Sequence, residues 1–254
     1  MIALLAPIFQ GELAPLGEGL HFSQRVPADA LRVCDLLPPG SPLLAEALRK
    51  YARSKGSTGV DLRPVASAWS LEYLAMLLPP VVAAATLLQH VFPVAAAQTW
   101  VCLDDHGAPV GFHVRALGTS RQGASTAQRY ERLLWQHLAP LLDALSESAG
   151  LAPKILWGNV ARHFDHLLGK GVELSGGAPC VAQDRAWLLH SATWPAPWGA
   201  NPLYGRQREV VQLQDNRAVP IKLHRQCCLY HLLPGEGYCG ACPLAPRHRQ
   251  QPIR

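Results

Sequence analysis

Residues 222–245 read KLHRQCCLYHLLPGEGYCGACPLA and hold Cys227, Cys228, Cys239 and Cys242, four of the seven cysteines of the chain, in the pattern C-C-x10-C-x2-C. Thiolate sulfur is a soft ligand, and four thiolates suit zinc or an iron–sulfur cluster. A single zinc usually takes both ligand pairs from C-x2-C turns, where a tight turn lets two sulfurs converge. Only Cys239 and Cys242 have that spacing. Cys227 and Cys228 are neighbours, and neighbouring side chains on an extended chain point to opposite sides. Sulfurs splayed in that way reach two adjacent metals, or one elongated cluster such as a [2Fe–2S] rhomb, more easily than a single ion. The residues alone leave three alternatives, in this order: a [2Fe–2S] cluster, zinc, and disulfides.

The motif resembles that of the FhuF family of siderophore-iron reductases. The resemblance includes Arg225 before the cysteine pair, Tyr238 and Gly240 around the third cysteine, and Pro243 after the fourth. Upstream, Trp157-Gly158-Asn159 is similar to a Trp-Gly-Asn signature of the same group. Beyond these two segments the likeness is one of length and layout. The resemblance implies that Cys227, Cys228, Cys239 and Cys242 hold a [2Fe–2S] cluster. It further implies that the cluster passes one electron to ferric iron in a siderophore chelate of the hydroxamate type, releasing ferrous iron in the cytoplasm.

Composition is consistent with such a chain. At 254 residues, with 49% hydrophobic and 16% charged residues, it can bury a large core, and disorder is excluded. The net charge of +5 fits an anionic ligand, a donor protein with an acidic face or an anionic membrane surface. The opening residues MIALLAPIFQGEL have no basic region, and Glu12 and Pro15 interrupt them, so no secretory signal is read. The expected location is the cytoplasm, with peripheral contact at the inner membrane as a candidate. Residues 73–97, YLAMLLPPVVAAATLLQHVFPVAAA, carry no Asp, Glu, Lys or Arg and are long enough to cross a bilayer. Pro79-Pro80 would break a helix there, and Gln89 and His90 follow, so the reading is a pair of buried core helices.

The pattern predicts an α+β protein: a predominantly helical body, a small antiparallel sheet and a C-terminal cysteine-rich cluster-binding segment. A lobe at 1–60, a reductase body at 61–221 and a cluster segment at 222–254 are the expected divisions. Helices are expected from Pro27 to Leu37 and from Ser41 to about Ser54. QTWVCL at 98–103 and Val110 to Ala116 read as a hairpin about Asp104-Asp105-His106-Gly107. The leucines of 133–145 recur at helical spacing after Ser125 or Thr126, with a kink expected at Pro140 and a stop at Gly150. Pro153 opens a second helix in which Gly158 costs about 1 kcal/mol against alanine, so another element is expected to approach its backbone. A strand pair at 208–213 and 218–223 runs straight into Cys227.

Around this frame, Trp157, Asn159, His224 and Arg225 are candidates to touch the substrate or donate to cluster sulfur. Lys222 and His231 are further neighbours of the cysteine pair. Trp187, Trp194 and Trp198 either line a pocket or anchor a loop-rich region. Arg247, Arg249 and Arg254 form a basic tail. No Rossmann fingerprint, P-loop or Ser/His/Asp set occurs, so electrons must come from an external donor, a ferredoxin or a flavoprotein. No nucleic-acid partner is expected on this reading. The alternatives are a zinc-stapled binding module in which the four cysteines are structural and the basic tail meets nucleic acid or an acidic partner, and a [2Fe–2S] electron carrier without a siderophore substrate.

Overall fold

The computed structural model describes residues 1–214 and 217–248. A short helix α1 (Ala14–Gly17) and strand β1 (Leu20–Phe22) lead through β2 (Leu31–Arg32) to α2 (Pro42–Ser54), where Ser41 accepts a hydrogen bond from the Leu44 amide and Pro42 occupies the first turn. Helix α3 (Arg63–Leu87) follows, then β3 (His90–Val91), the hairpin β4 (Thr99–Leu103) and β5 (Pro109–Val114), and β6 (Thr119–Ser120). The helical half contains α4 (Thr126–Leu133), α5 (Ala139–Ala149), α6 (Pro153–Leu174) and α7 (Pro179–His190). Two ribbons close the chain, β7 (Thr193–Trp194) with β8 (Gly199–Ala200), and β9 (Glu209–Gln214) with β10 (Arg217–Lys222). The main sheet has the order β1-β5-β4-β2 and is antiparallel except for β1, which runs parallel to β5. The fold is thus α+β with a predominantly helical body, as the pattern predicts.

The segment from Pro27 departs from expectation. It forms β2 and a single 3-10 turn (Val33–Leu36) rather than a helix, because Leu31 and Arg32 pair with Val101 and Trp100 of β4. The hairpin turn is built by Asp104, whose Oδ1 accepts from the amides of His106 (2.9 Å) and Ala108 (2.8 Å). Leu36, Leu44, Leu48 and Tyr51 enter the same hydrophobic core as Trp69 and Tyr73 of α3.

Helix α3 corrects the expected break at Pro79-Pro80. It runs unbroken through both prolines, with Trp69, Tyr73, Leu77, Leu78 and Val81 buried. Pro80 has no N–H to give to the Met76 carbonyl four residues earlier. Gly19 packs on that bare carbonyl so closely that a Cβ would stand 1.9 Å from its oxygen. The helix is long and apolar enough to cross a membrane, but 67% of its most apolar window is buried inside the fold.

Pro140 does not simply kink its helix. A π turn (Leu134–Leu138) joins α4 to α5 just before it. The turn aims His137 into the core, where Nε2 meets the Tyr73 hydroxyl and Nδ1 the Val94 carbonyl, both at 2.6 Å. Nearby, Asp184 of α7 is completely buried and takes a two-pronged bond from Arg129 at 2.7 and 2.8 Å. The Thr126 (2.6 Å) and Thr86 (2.8 Å) hydroxyls complete its shell, tying α3, α4 and α7 together.

Asp184→Ala leaves Arg129 charged and unpaired in the interior. The expected loss, read as the shift in urea unfolding, is about 3–5 kcal/mol. Burial holds His137 down to about 4, below its ordinary value, so it stays neutral in the fold while the unfolded chain takes up a proton near 6.5. The unfolded state then binds more protons between those values. Stability is fully present above about 6.5 and falls on acidification toward 4, by up to about 1.4 kcal/mol per pH unit. His137→Phe should flatten that part of the pH–stability curve.

Candidate metal centre

Strand β10 delivers the chain to the cysteine segment, which folds back on itself through the His224 amide donating to the Ala241 carbonyl at 2.9 Å. Leu229 adopts a left-handed conformation (φ 60°), unusual for a branched residue, and this turns its amide toward Cys227 Sγ at 3.4 Å. The Cys239–Cys242 turn is closed by the Cys242 amide on the Cys239 carbonyl at 3.1 Å. Arg247 donates to the Cys239 and Gly240 carbonyls at 3.1 and 3.0 Å, and His248 Nδ1 lies 2.8 Å from the Cys242 carbonyl. Arg247, although exposed, thus clasps the turn. Arg249 and Arg254 lie outside the described residues.

Two of the four thiols are in contact. Cys242 Sγ lies 3.6 Å from Cys227 Sγ, with His231 Nδ1 at 3.7 Å from the same sulfur. Cys239 donates to Cys228, and this bond, reinforced by the Arg162 guanidinium and the Tyr230 amide, pulls Cys228 down to about 5. Cys227 is instead pushed up to about 11, mainly by burial. Cys227, Cys228 and Cys242 are buried and Cys239 half-buried. Among the described residues no three cysteine, histidine or carboxylate groups converge as they would on a single metal ion; four largely enclosed sulfurs, two of them in contact, fit a dinuclear cluster and could hold it.

Beside this segment opens a cleft of about 690 Å³, with Leu71 and Ala75 of α3 on one wall, Arg162 and His166 of α6 on another, and Lys222 and His224 on a third. Two acidic residues line it as well. Asp165 is paired with Arg185, and Glu72 is held by Lys55 at 3.0 Å and by the Tyr51 hydroxyl. Arg162 and Lys222 have no carboxylate partner among the described residues. Burial, aided by Arg162, brings both His163 and His224 down to about 4, so neither adds charge near neutral pH.

Of the candidates read from sequence, His224 lines the cleft. Arg225 points away from it, donating to the Leu189 carbonyl at 3.2 Å and lying against Gly205. Trp157 joins an aromatic cluster with Trp135 (6.1 Å between centroids), which stacks on Trp198 at 4.8 Å, while Trp194 meets Trp187 at 4.5 Å. The tryptophans therefore bind the 187–198 region to the helical body. Asn159 is buried, and its amide donates to Ser67 Oγ and Ser70 Oγ, both at 3.0 Å. Its Oδ1 accepts from Arg162 at 3.5 Å, one helical turn on. Between Trp157 and Asn159, a Cβ on Gly158 would lie 2.9 Å from Cβ of Gln226, the residue before the cysteine pair. Arg162 and Gln226 were not singled out from the sequence. For Arg162, its position three residues after Asn159 was the available signal.

The chain matches the family described as "Ferric iron reductase FhuF-like transporter" over residues 67–218 and the "FhuF 2Fe-2S C-terminal domain" over 225–244, and it belongs to this family. The second match spans all four cysteines, and the cofactor of this chain is a [2Fe–2S] cluster. Among individual proteins, it is 23% identical over 230 residues to the "Ferric siderophore reductase" of Escherichia coli (strain K12), covering 89% of this chain and 84% of that one. The fold is similar to that of the aerobactin synthetase IucA from a hypervirulent pathotype of Klebsiella pneumoniae, with a TM-score of 0.53 and 17% identity over 69% of this chain. Its ATP-bound form gives 0.51. This chain spans only 38% of the length of the synthetase, and the likeness is one of fold.

Gly158→Ala forces the Gln226 backbone outward. The expected result is a loss of about 1–3 kcal/mol in urea unfolding, together with a lower visible absorbance per chain after anaerobic cluster reconstitution. Unchanged cluster content and stability would mean that the contact has slack.

Proposed function

We propose that this protein reduces the ferric iron of a siderophore chelate, of the hydroxamate type, by one electron, and that ferrous iron is released in the cytoplasm. The observation that carries this reading is the wall shared by the cleft and the cysteine segment. His224 lines the cleft and its amide donates to the Ala241 carbonyl beside Cys242 at 2.9 Å, so a chelate seated there lies against the cysteine segment. Family membership and the name of the Escherichia coli relative support the same reading.

On this reading Cys227, Cys228, Cys239 and Cys242 hold the [2Fe–2S] cluster, which when bound supplies a one-electron reductant. The chain's own residues do the rest. Leu71 and Ala75 give the cleft an apolar wall for the chelate, while Arg162 and Lys222 line it with positive charge. His163 and His224, neutral near pH 7, add hydrogen-bonding capacity without charge. His231 Nδ1 sits 3.7 Å from Cys227 Sγ, within reach of that sulfur. Fe(III) suits the hard oxygens of three hydroxamates, and the same ligands hold Fe(II) far more weakly, so one electron frees the metal with no proton relay. The electron comes from a ferredoxin or flavoprotein. The exposed Leu232, Tyr238 and Leu244 in the cysteine segment supply apolar surface for that partner. The site of action is the cytoplasm, with peripheral contact at the inner membrane.

The test is anaerobic. The purified protein is reduced, titrated with a ferric tris-hydroxamate and followed by visible absorbance with a ferrous-specific trap. Return of the oxidized spectrum, with one trapped Fe(II) per electron, is expected. A colored protein that the chelate cannot reoxidize would be an electron carrier without this substrate, and a colorless zinc protein would be a stapled binding module.

A further inference from the structure

We infer that the cysteines serve their two irons as Cys227 with Cys242 and Cys228 with Cys239, and that the second pair is the one facing the cleft. This rests on the cluster reading above and adds an assignment that spacing alone opposes, since a C-x2-C turn ordinarily brings its own two sulfurs to one metal.

Three observations carry it. First, the 3.6 Å between Cys227 and Cys242 sulfurs is close to the separation of two thiolates on one tetrahedral metal, about 3.8 Å for metal–sulfur bonds of about 2.3 Å. Second, with Cys242 against Cys227, the C-x2-C turn is split, and Cys239 is left to the other member of the adjacent pair, Cys228. Third, the two pairs have different surroundings. Cys227 is met by His231 and by the Leu229 amide. The charge of Arg162, which lines the cleft and is braced through Asn159 on Ser67 and Ser70, acts on Cys228 and Cys239. Arg162 therefore acts as a positioning residue for the second pair. It offsets negative charge there and links that end of the site to the cleft.

The reduced cluster contains one ferric and one ferrous iron, and cysteine β-protons on the two irons show opposite temperature dependence in paramagnetic NMR. The full chain is prepared by ligating a synthetic C-terminal segment that carries one β-deuterated cysteine at a time, so each assignment is made without substituting a ligand. Cys227 and Cys242 should share one temperature dependence, and Cys228 and Cys239 the other. An iron–sulfur protein in which Cys239 and Cys242, or Cys227 and Cys228, behave alike would overturn the pairing while leaving the cofactor intact. A chain that takes up only zinc would overturn the cofactor reading and the pairing with it. Arg162→Gln should move the Cys228 and Cys239 resonances most and lower the midpoint potential, with Arg162→Lys restoring most of the potential. Equal displacement of both sets would overturn the orientation toward the cleft.

Discussion

A largely buried apolar helix must place each of its buried polar groups against a partner, and in α3 those partners come from different elements. Trp69 Nε1 donates to the Gly107 carbonyl at 2.8 Å, fixing the hairpin. Ser67 and Ser70 receive Asn159 of α6, Tyr73 meets His137 of the π turn, and Thr86 joins Asp184 of α7. Glu72, at the margin, takes Tyr51 of α2 and Lys55 just after it. Apolar packing alone would allow these elements to slide or rotate. The hydrogen bonds select one orientation for each, because a shifted neighbor would leave a buried donor or acceptor without a partner.

The functional arrangement inherits that selection. Asn159 is clamped by two serines of α3, which sets the rotation of α6. That rotation turns Gly158 toward Gln226 and Arg162 toward the cleft. The cysteine segment contributes a small core of its own, Cys227, Cys242 and Ala245, and it depends on the helical body for support.

The sequence disclosed what is local. The chemistry of four cysteines in the stretch 227–242, the Asp104 turn, the capping serines and the helical spacing of leucines each depend on residues close together in the chain. Likewise, a glycine inside a helix announced a close approach at 158, although not which residue approaches. What escaped depends on distant partners. The continuity of α3 through Pro79 and Pro80 is compatible with the fold because Gly19 packs on the exposed Met76 carbonyl. The π turn before Pro140 is coupled to Tyr73 and Val94, and the place of Arg162 follows from Asn159 being held by Ser67 and Ser70 of a distant helix. No periodicity in a single sequence reports such pairings.

The contact between Gly158 and Gln226 has a comparative consequence. With 2.9 Å from the built Cβ to Gln226 Cβ, the two positions share one fixed volume. In relatives they should vary as one trait: a side chain gained at the helix position is tolerated where the residue before the cysteine pair has been reduced to glycine, and otherwise not. The Trp-Gly-Asn signature and the cysteine motif, although far apart in the chain, are then two halves of a single joint.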